Sequence, residues 1–191
     1  MTVSLRYPLL KCQALAWLVA GRRRAALACF DRMLVCAPHD RYAMASRAHV
    51  LGQLGEKEAA IQALRQLTAA HPGHAAGWFN LGFVLEEAGH LADAGAAFHQ
   101  ATEAAPDLDR AWYGLALVRI RERRLDEAVA ALQKNTQLQP MSPHGWYQLA
   151  RVHVDRKAPE EALRIIRHLH RFEPRIAAQL ERETGLCAAR V

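Results

Sequence analysis

The sequence predicts an all-α solenoid of five helical hairpins closed by a C-terminal capping helix, and three observations predict it. Pro38, Pro72, Pro106, Pro140 and Pro174 stand 34 residues apart. Ala26, Ala60, Ala94, Ala128 and Ala162 share that period, as do Trp78, Trp112 and Trp146. Within each period the apolar residues recur at the spacing of a helix face and do not alternate as in a strand.

The units run 7–40, 41–74, 75–108, 109–142 and 143–176. The third shows the logic most fully. Trp78, Leu81 and Leu85 mark one helical face, Ala94, Phe98 and Ala101 mark a second, and Ala88, Gly89 and His90 form the turn between them. Small residues at Gly82 and Ala94 let the two helices approach, while Trp78 and Phe98 fill the wider space towards the ends. Pro106 lacks an amide hydrogen and clashes with the preceding turn, so it ends the second helix. The small series continues through Ala14, Ala48, Ala116 and Ala150, and the large one through Phe30, Leu64, Leu132 and Ile166.

The first two units depart from this pattern. Leu10 and Met44 stand where later units have Trp, and Gln13 and Arg47 where they have Leu81, Leu115 and Leu149. Arg119 and His153 replace the large apolar residue seen at Leu85. After Pro174, the segment from Arg175 to Glu183 reads as one more helix, with Ile176 and Leu180 on one face and Gly185 as its stop. It opens a capping helix and short tail over 177–191, half polar as the exposed end of a stacked array requires. No such helix precedes the first unit, whose leading helix is unusually apolar at Leu9, Leu10, Leu15, Trp17, Leu18 and Val19. Leu15, Leu18 and Val19 are therefore expected as a second partner-binding surface.

Composition narrows the function. With 51% hydrophobic residues the chain has material for a real core. Lys and Arg number 25 against 19 Asp and Glu, a formal charge of +6, spread along the chain and dominated by Arg. The four cysteines form no CxxC pair, which fits a reducing, cytoplasmic setting. The apolar run from Leu9 to Gly21 is followed by Arg22, Arg23 and Arg24 in place of a small-residue cleavage site, so export is not expected. That run also falls short of the ~20 apolar residues needed to span a bilayer.

Trp78, Leu81, Gly82, Leu85, Ala94, Phe98, Ala101 and Pro106 resemble the tetratricopeptide-repeat signature at its expected offsets. The resemblance covers 7–176. It implies a right-handed superhelix whose first helices line a concave groove that holds an extended peptide, a helix or a subunit of another protein. The groove positions it implies are Phe79, Asn80, Phe83, Arg110, Tyr113, Arg121, His144, Tyr147 and Arg151. Aromatic anchors beside arginines suit a protein interface, because they combine rigid contact area with forked, charge-assisted hydrogen bonds. The expected partner is a protein segment with acidic character. The Lys, Asn and Arg set with which some members grip a C-terminal carboxylate is broken here by Leu15, Ser46, His49 and Gly114.

Catalytic patterns are absent: there is no GxSxG, GxxxxGK[ST], GxGxxG or HExxH, and no enzyme activity, cofactor, metal or small-molecule substrate is expected. His71 and His74 fall in a Pro-Gly turn, and His168 and His170 are two apart on a helix, which points their rings to different faces. Arg22 to Arg24, with Arg119, Arg121, Arg123 and Arg124, raise an RNA-binding alternative. Against it, the fifth positions of the units run Lys11, Ala45, Phe79, Tyr113 and Tyr147, which is no base-reading code. The reading is a non-enzymatic protein-binding scaffold, with an accessory subunit of a larger enzyme complex as the alternative and self-association open.

Overall fold

The computed structural model describes residues 3–187, and the last residues of the tail expected over 177–191 lie outside them. Among the described residues there are eleven helices and no strand. They fall into two compact units, one ending at His90 and the other beginning at Leu91. The first holds α1 (Val3–Val19), α2 (Arg23–Cys36), α3 (Arg41–Gln53), α4 (Lys57–Ala70) and α5 (Ala75–Glu87). The second holds α6 (Leu91–Ala104), α7 (Asp109–Arg121), α8 (Leu125–Leu138), α9 (Pro143–Asp155), α10 (Pro159–His170) and α11 (Pro174–Thr184).

In each unit every helix packs on the next one in the chain. The periodic small and large residues form the core: Ala14, Ala26, Ala60, Ala94, Ala116, Ala128, Ala150 and Ala162 are buried, and so are Phe30, Leu64, Phe98, Leu132 and Ile166. Alanine faces bring helix axes close, and the larger side chains fill the gaps that this leaves. Leu10 and Met44, which stand in for Trp, are buried as well. Gln13 is exposed, and Arg47 reaches Asp31 at 2.7 Å.

The turns inside the hairpins follow a second periodic rule. The first helix of each pair ends on a left-handed residue: Gly21, Gly55 and Gly89, then Arg123 at φ 60° and Lys157 at φ 58°. The next amide bonds back to the final turn in each case, as from Glu56 to the Leu51 carbonyl at 3.0 Å and from Ala158 to that of His153 at 2.9 Å. This is the Schellman ending of a helix, which glycine adopts without strain.

Three details differ from the sequence expectation. α1 begins at Val3, ahead of the first repeat, and carries Pro8 within it. Pro174 opens α11, where its missing amide costs nothing, instead of closing the helix before it. Arg119 and His153 are core positions despite their polarity. The Arg119 side chain is 12% exposed and its guanidinium meets Glu122 at 2.7 Å and Glu127 at 3.0 Å. His153 is 6% exposed, and its Nδ1 has no hydrogen-bond partner. α11 packs on α9 and α10 through Ala177 and Leu180, and ends at Gly185 with φ 71°.

Candidate functional site

In the second unit, α7 carries Arg110, Tyr113 and Arg121, and α9 carries His144, Tyr147 and Arg151. Their spacing sets each trio on one helix side. The neighbours fix that orientation. Gly114 faces the Phe98 ring, which would stand 2.7 Å from any Cβ there. The indoles of Trp112 and Trp146 donate to the carbonyls of Pro106 at 2.9 Å and Pro140 at 2.8 Å. With these residues turned inward, Tyr113 and Tyr147 are left half-buried and the four basic side chains exposed.

Tyr147 is the most fully specified of the six. Its hydroxyl donates to Glu183 Oε2 on α11 at 2.6 Å, and Gln179 donates to the other carboxylate oxygen at 2.8 Å. The Arg151 guanidinium lies 5.7 Å from the Tyr147 ring centroid, within cation–π range. The hydrogen bond to Glu183, and then burial, raises the Tyr147 hydroxyl pKa. The bonds from Tyr147 and Gln179 lower that of the exposed Glu183 carboxyl. Sequence reasoning did not find Glu183 or Gln179. Their signal was available, since carrying the 34-residue register past residue 176 sets a further first helix beside α9.

In the unit ending at His90, α5 carries Phe79, Asn80 and Phe83. Phe83 is 49% exposed, Asn80 is exposed and Phe79 half-buried. On α1, Leu15 and Val19 are exposed, whereas Leu18 packs against the core of its own hairpin. Lys11, at the position equivalent to Phe79, lies 4.4 Å from the Tyr42 ring centroid.

The remaining polar clusters have local partners, although the Nε2 of His168 is buried without a hydrogen bond. Arg22 lies over the Trp17 ring at 5.3 Å, Arg23 bonds Gln53 at 3.0 Å and Arg24 meets Glu56 at 3.1 Å. Arg124 pairs with Glu127 at 2.6 Å, and Arg123 lies 3.7 Å from Asp155. His71 meets the His39 carbonyl at 2.8 Å, His168 stacks on Trp146 with centroids 4.5 Å apart, and His170 meets Glu181 at 3.2 Å. No group of three metal-ligating side chains occurs among the described residues. None of the described helices is long and apolar enough to cross a membrane.

A family model described as tetratricopeptide repeat matches residues 46–109, 84–135 and 113–169. A comparison with curated proteins finds no match. Among solved structures, MamA from Desulfovibrio magneticus RS-1 is similar at TM-score 0.77 and 20% identity, covering 95% of this chain and 98% of that one. YrrB, described as a TPR protein with an unusual peptide-binding site, is similar at TM-score 0.76 and 18% identity, with 88% of both chains covered. A chain of the Naa15/Naa10 complex bound to HypK-THB is similar at TM-score 0.66 and 17% identity, covering 87% of this chain and 25% of that one. At these identities the likeness is one of fold, and the fold is an all-α solenoid.

Proposed function

The chain belongs to the tetratricopeptide repeat family, and from that premise we propose that it is a non-enzymatic scaffold whose first helices grip a segment of another protein with acidic character. The observation that carries this reading is the corner on α9. There an aromatic hydroxyl already holds a carboxylate, Glu183, with the Arg151 guanidinium over the same ring. A partner carboxylate that displaces Glu183 would find the same oriented hydroxyl donor and a cation beside it, in the manner of interface hot spots. Tyr113 and Arg110 offer the same pairing of residue types on α7. The peptide-binding description of YrrB supports this use of the fold. A cytoplasmic setting goes with the reading, because all four cysteines are free thiols.

The arginine clusters that raised an RNA alternative are largely committed to carboxylates, amides or rings within the chain, which favours protein over phosphate as the ligand. The exposed Leu15 and Val19 favour, as a second reading, an accessory subunit held in a larger assembly through apolar contact. The two readings separate on one experiment. Partners purified from native lysate with the wild-type chain are compared with those held by a Tyr113→Ala, Tyr147→Ala, Arg110→Glu variant of unchanged circular dichroism. Selective loss of one protein supports the first-helix site. Retention of every partner by the folded variant overturns it.

A further inference from the structure

The α1/α2 hairpin carries a groove that the first-helix site does not use. Two adjoining cavities, about 640 and 450 Å3, lie along it and share Gln13 and Arg32. Ala16 and Ala20 of α1 face Ala25 and Ala28 of α2 across the larger one. Leu9 and Val35 line the smaller, 50% and 83% exposed. From Leu9 to Ala20 the groove follows α1 for about 17 Å, close to three helical turns at 1.5 Å per residue.

Its charge is one-sided. Arg6 and Arg32 are the basic side chains that line the groove, no carboxylate does, and neighbouring Asp31 is tied to Arg47 at 2.7 Å. Arg6 and Arg32, both exposed, line the smaller cavity and make no ion pair among the described residues. The groove therefore presents apolar walls and unneutralised cations to whatever occupies it.

A second copy stacked in repeat register does not fit. The residue equivalent to Leu9 is Ala43, Gly77, Ala111 or Gly145 in the other units, buried in every case. Any Cβ added at Gly77 would stand 3.2 Å from Leu67, the second-helix residue pressed against it, and at Gly145 2.2 Å from Asn135. Leu9 fills that space with a large side chain. A flat lipid surface would rest on Leu9 and Val35 and leave the hollow between the alanines unfilled.

We propose that the groove between α1 and α2 docks an amphipathic helix of another protein, of about three turns, whose apolar face enters between the alanines and whose flanking carboxylates pair with Arg6 and Arg32. The test uses two synthetic helical peptides that share one Leu/Ala face and carry either glutamates or lysines on its flanks. Binding to the full chain is read by fluorescence anisotropy. The Glu-flanked peptide is expected to bind at least tenfold more tightly than the Lys-flanked one. The double variant Arg6→Glu, Arg32→Glu reverses that order. Ala28→Trp, or Ala16→Trp on the opposite wall, fills the groove and abolishes binding without lowering the melting temperature. The Tyr113→Ala, Tyr147→Ala chain keeps the tenfold preference, which separates this surface from the α7 and α9 site.

Equal binding of the two peptides overturns the proposal, as does binding that survives both tryptophan variants. So does capture of phosphatidylglycerol vesicles, or a dimer in sedimentation velocity, that the tryptophan variants abolish.

Discussion

The Trp146 indole donates its N–H to the Pro140 carbonyl at 2.8 Å, and the same bond joins Trp112 to Pro106 and Trp78 to Pro72. Proline stops the preceding helix and leaves a carbonyl free, and the tryptophan six residues on closes over it. The two periodic residues are thus halves of one device that fixes where each first helix starts. In the first unit boundary, where no Trp follows, Asp40 takes this part: it caps α3 by accepting from the Ala43 amide at 2.8 Å, and it accepts from the Tyr7 hydroxyl at 2.5 Å.

Trp146→Phe retains most of the ring's contact area and loses the hydrogen bond. It is expected to destabilise the chain by about 1 kcal/mol in urea unfolding, and Trp146→Ala by about 3 kcal/mol. Unchanged stability in Trp146→Phe would mean that the indole N–H contributes nothing.

Lys157 occupies the left-handed turn position that Gly21, Gly55 and Gly89 fill elsewhere. Lys157→Gly relieves the Cβ strain and is expected to stabilise by about 0.5–1 kcal/mol, while Gly55→Ala costs about 1 kcal/mol. Melting temperatures should move in opposite directions by about 2–4 °C per kcal/mol.

Two helical glycines should respond in opposite ways to alanine. A Cβ at Gly52 meets nothing within 4 Å, so Gly52→Ala gains helix propensity of about 0.5–1 kcal/mol. A Cβ at Gly145 would stand 2.2 Å from Asn135 Oδ1, and buried Asn135 is held by its bond to the Asp109 carbonyl at 2.9 Å. Gly145→Ala is expected to destabilise by about 1–3 kcal/mol. Circular dichroism melts of the two variants check this contrast.

Burial, then the charge of Arg156, lowers the pKa of His153 from its usual 6.5, and burial also lowers that of His74. A histidine depressed in the folded state binds its proton more readily when unfolded. Its favourable contribution is therefore present above about pH 6.5 and is lost as the pH falls from there towards the lowered value. Stability measured by urea titration should fall between pH 7 and 5. His153→Leu, which restores the apolar residue seen at Leu85, should flatten that slope and raise neutral-pH stability by about 1 kcal/mol, since it removes a buried nitrogen without a partner.

Much of the fold is written in residues that repeat in type. Ala26 and its equivalents, and Phe30 with its series, are legible because close helix packing admits few alternatives at those positions. The left-handed turn was harder to read, because backbone geometry persists at Arg123 and Lys157 while the glycine that would announce it is gone. Thr68, Thr102 and Thr136 form another buried series at the same period, masked by their polar residue type. Each bonds a carbonyl of its own helix, as Thr68 does that of Leu64 at 3.0 Å, and so behaves as a small core residue. The site was less legible than the fold. Tyr147 and Arg151 follow from repeat position, but the carboxylate on Tyr147 comes from α11, whose sequence had suggested only a cover.

The first-helix site is tested most directly by hydrogen–deuterium exchange of the full chain with and without the partner recovered from lysate. Protection is expected in 109–121 and 143–155, the α7 and α9 segments, with little change in 125–138 and 159–170, which form α8 and α10. Protection confined to α8 and α10, with α7 and α9 unchanged, would contradict the account.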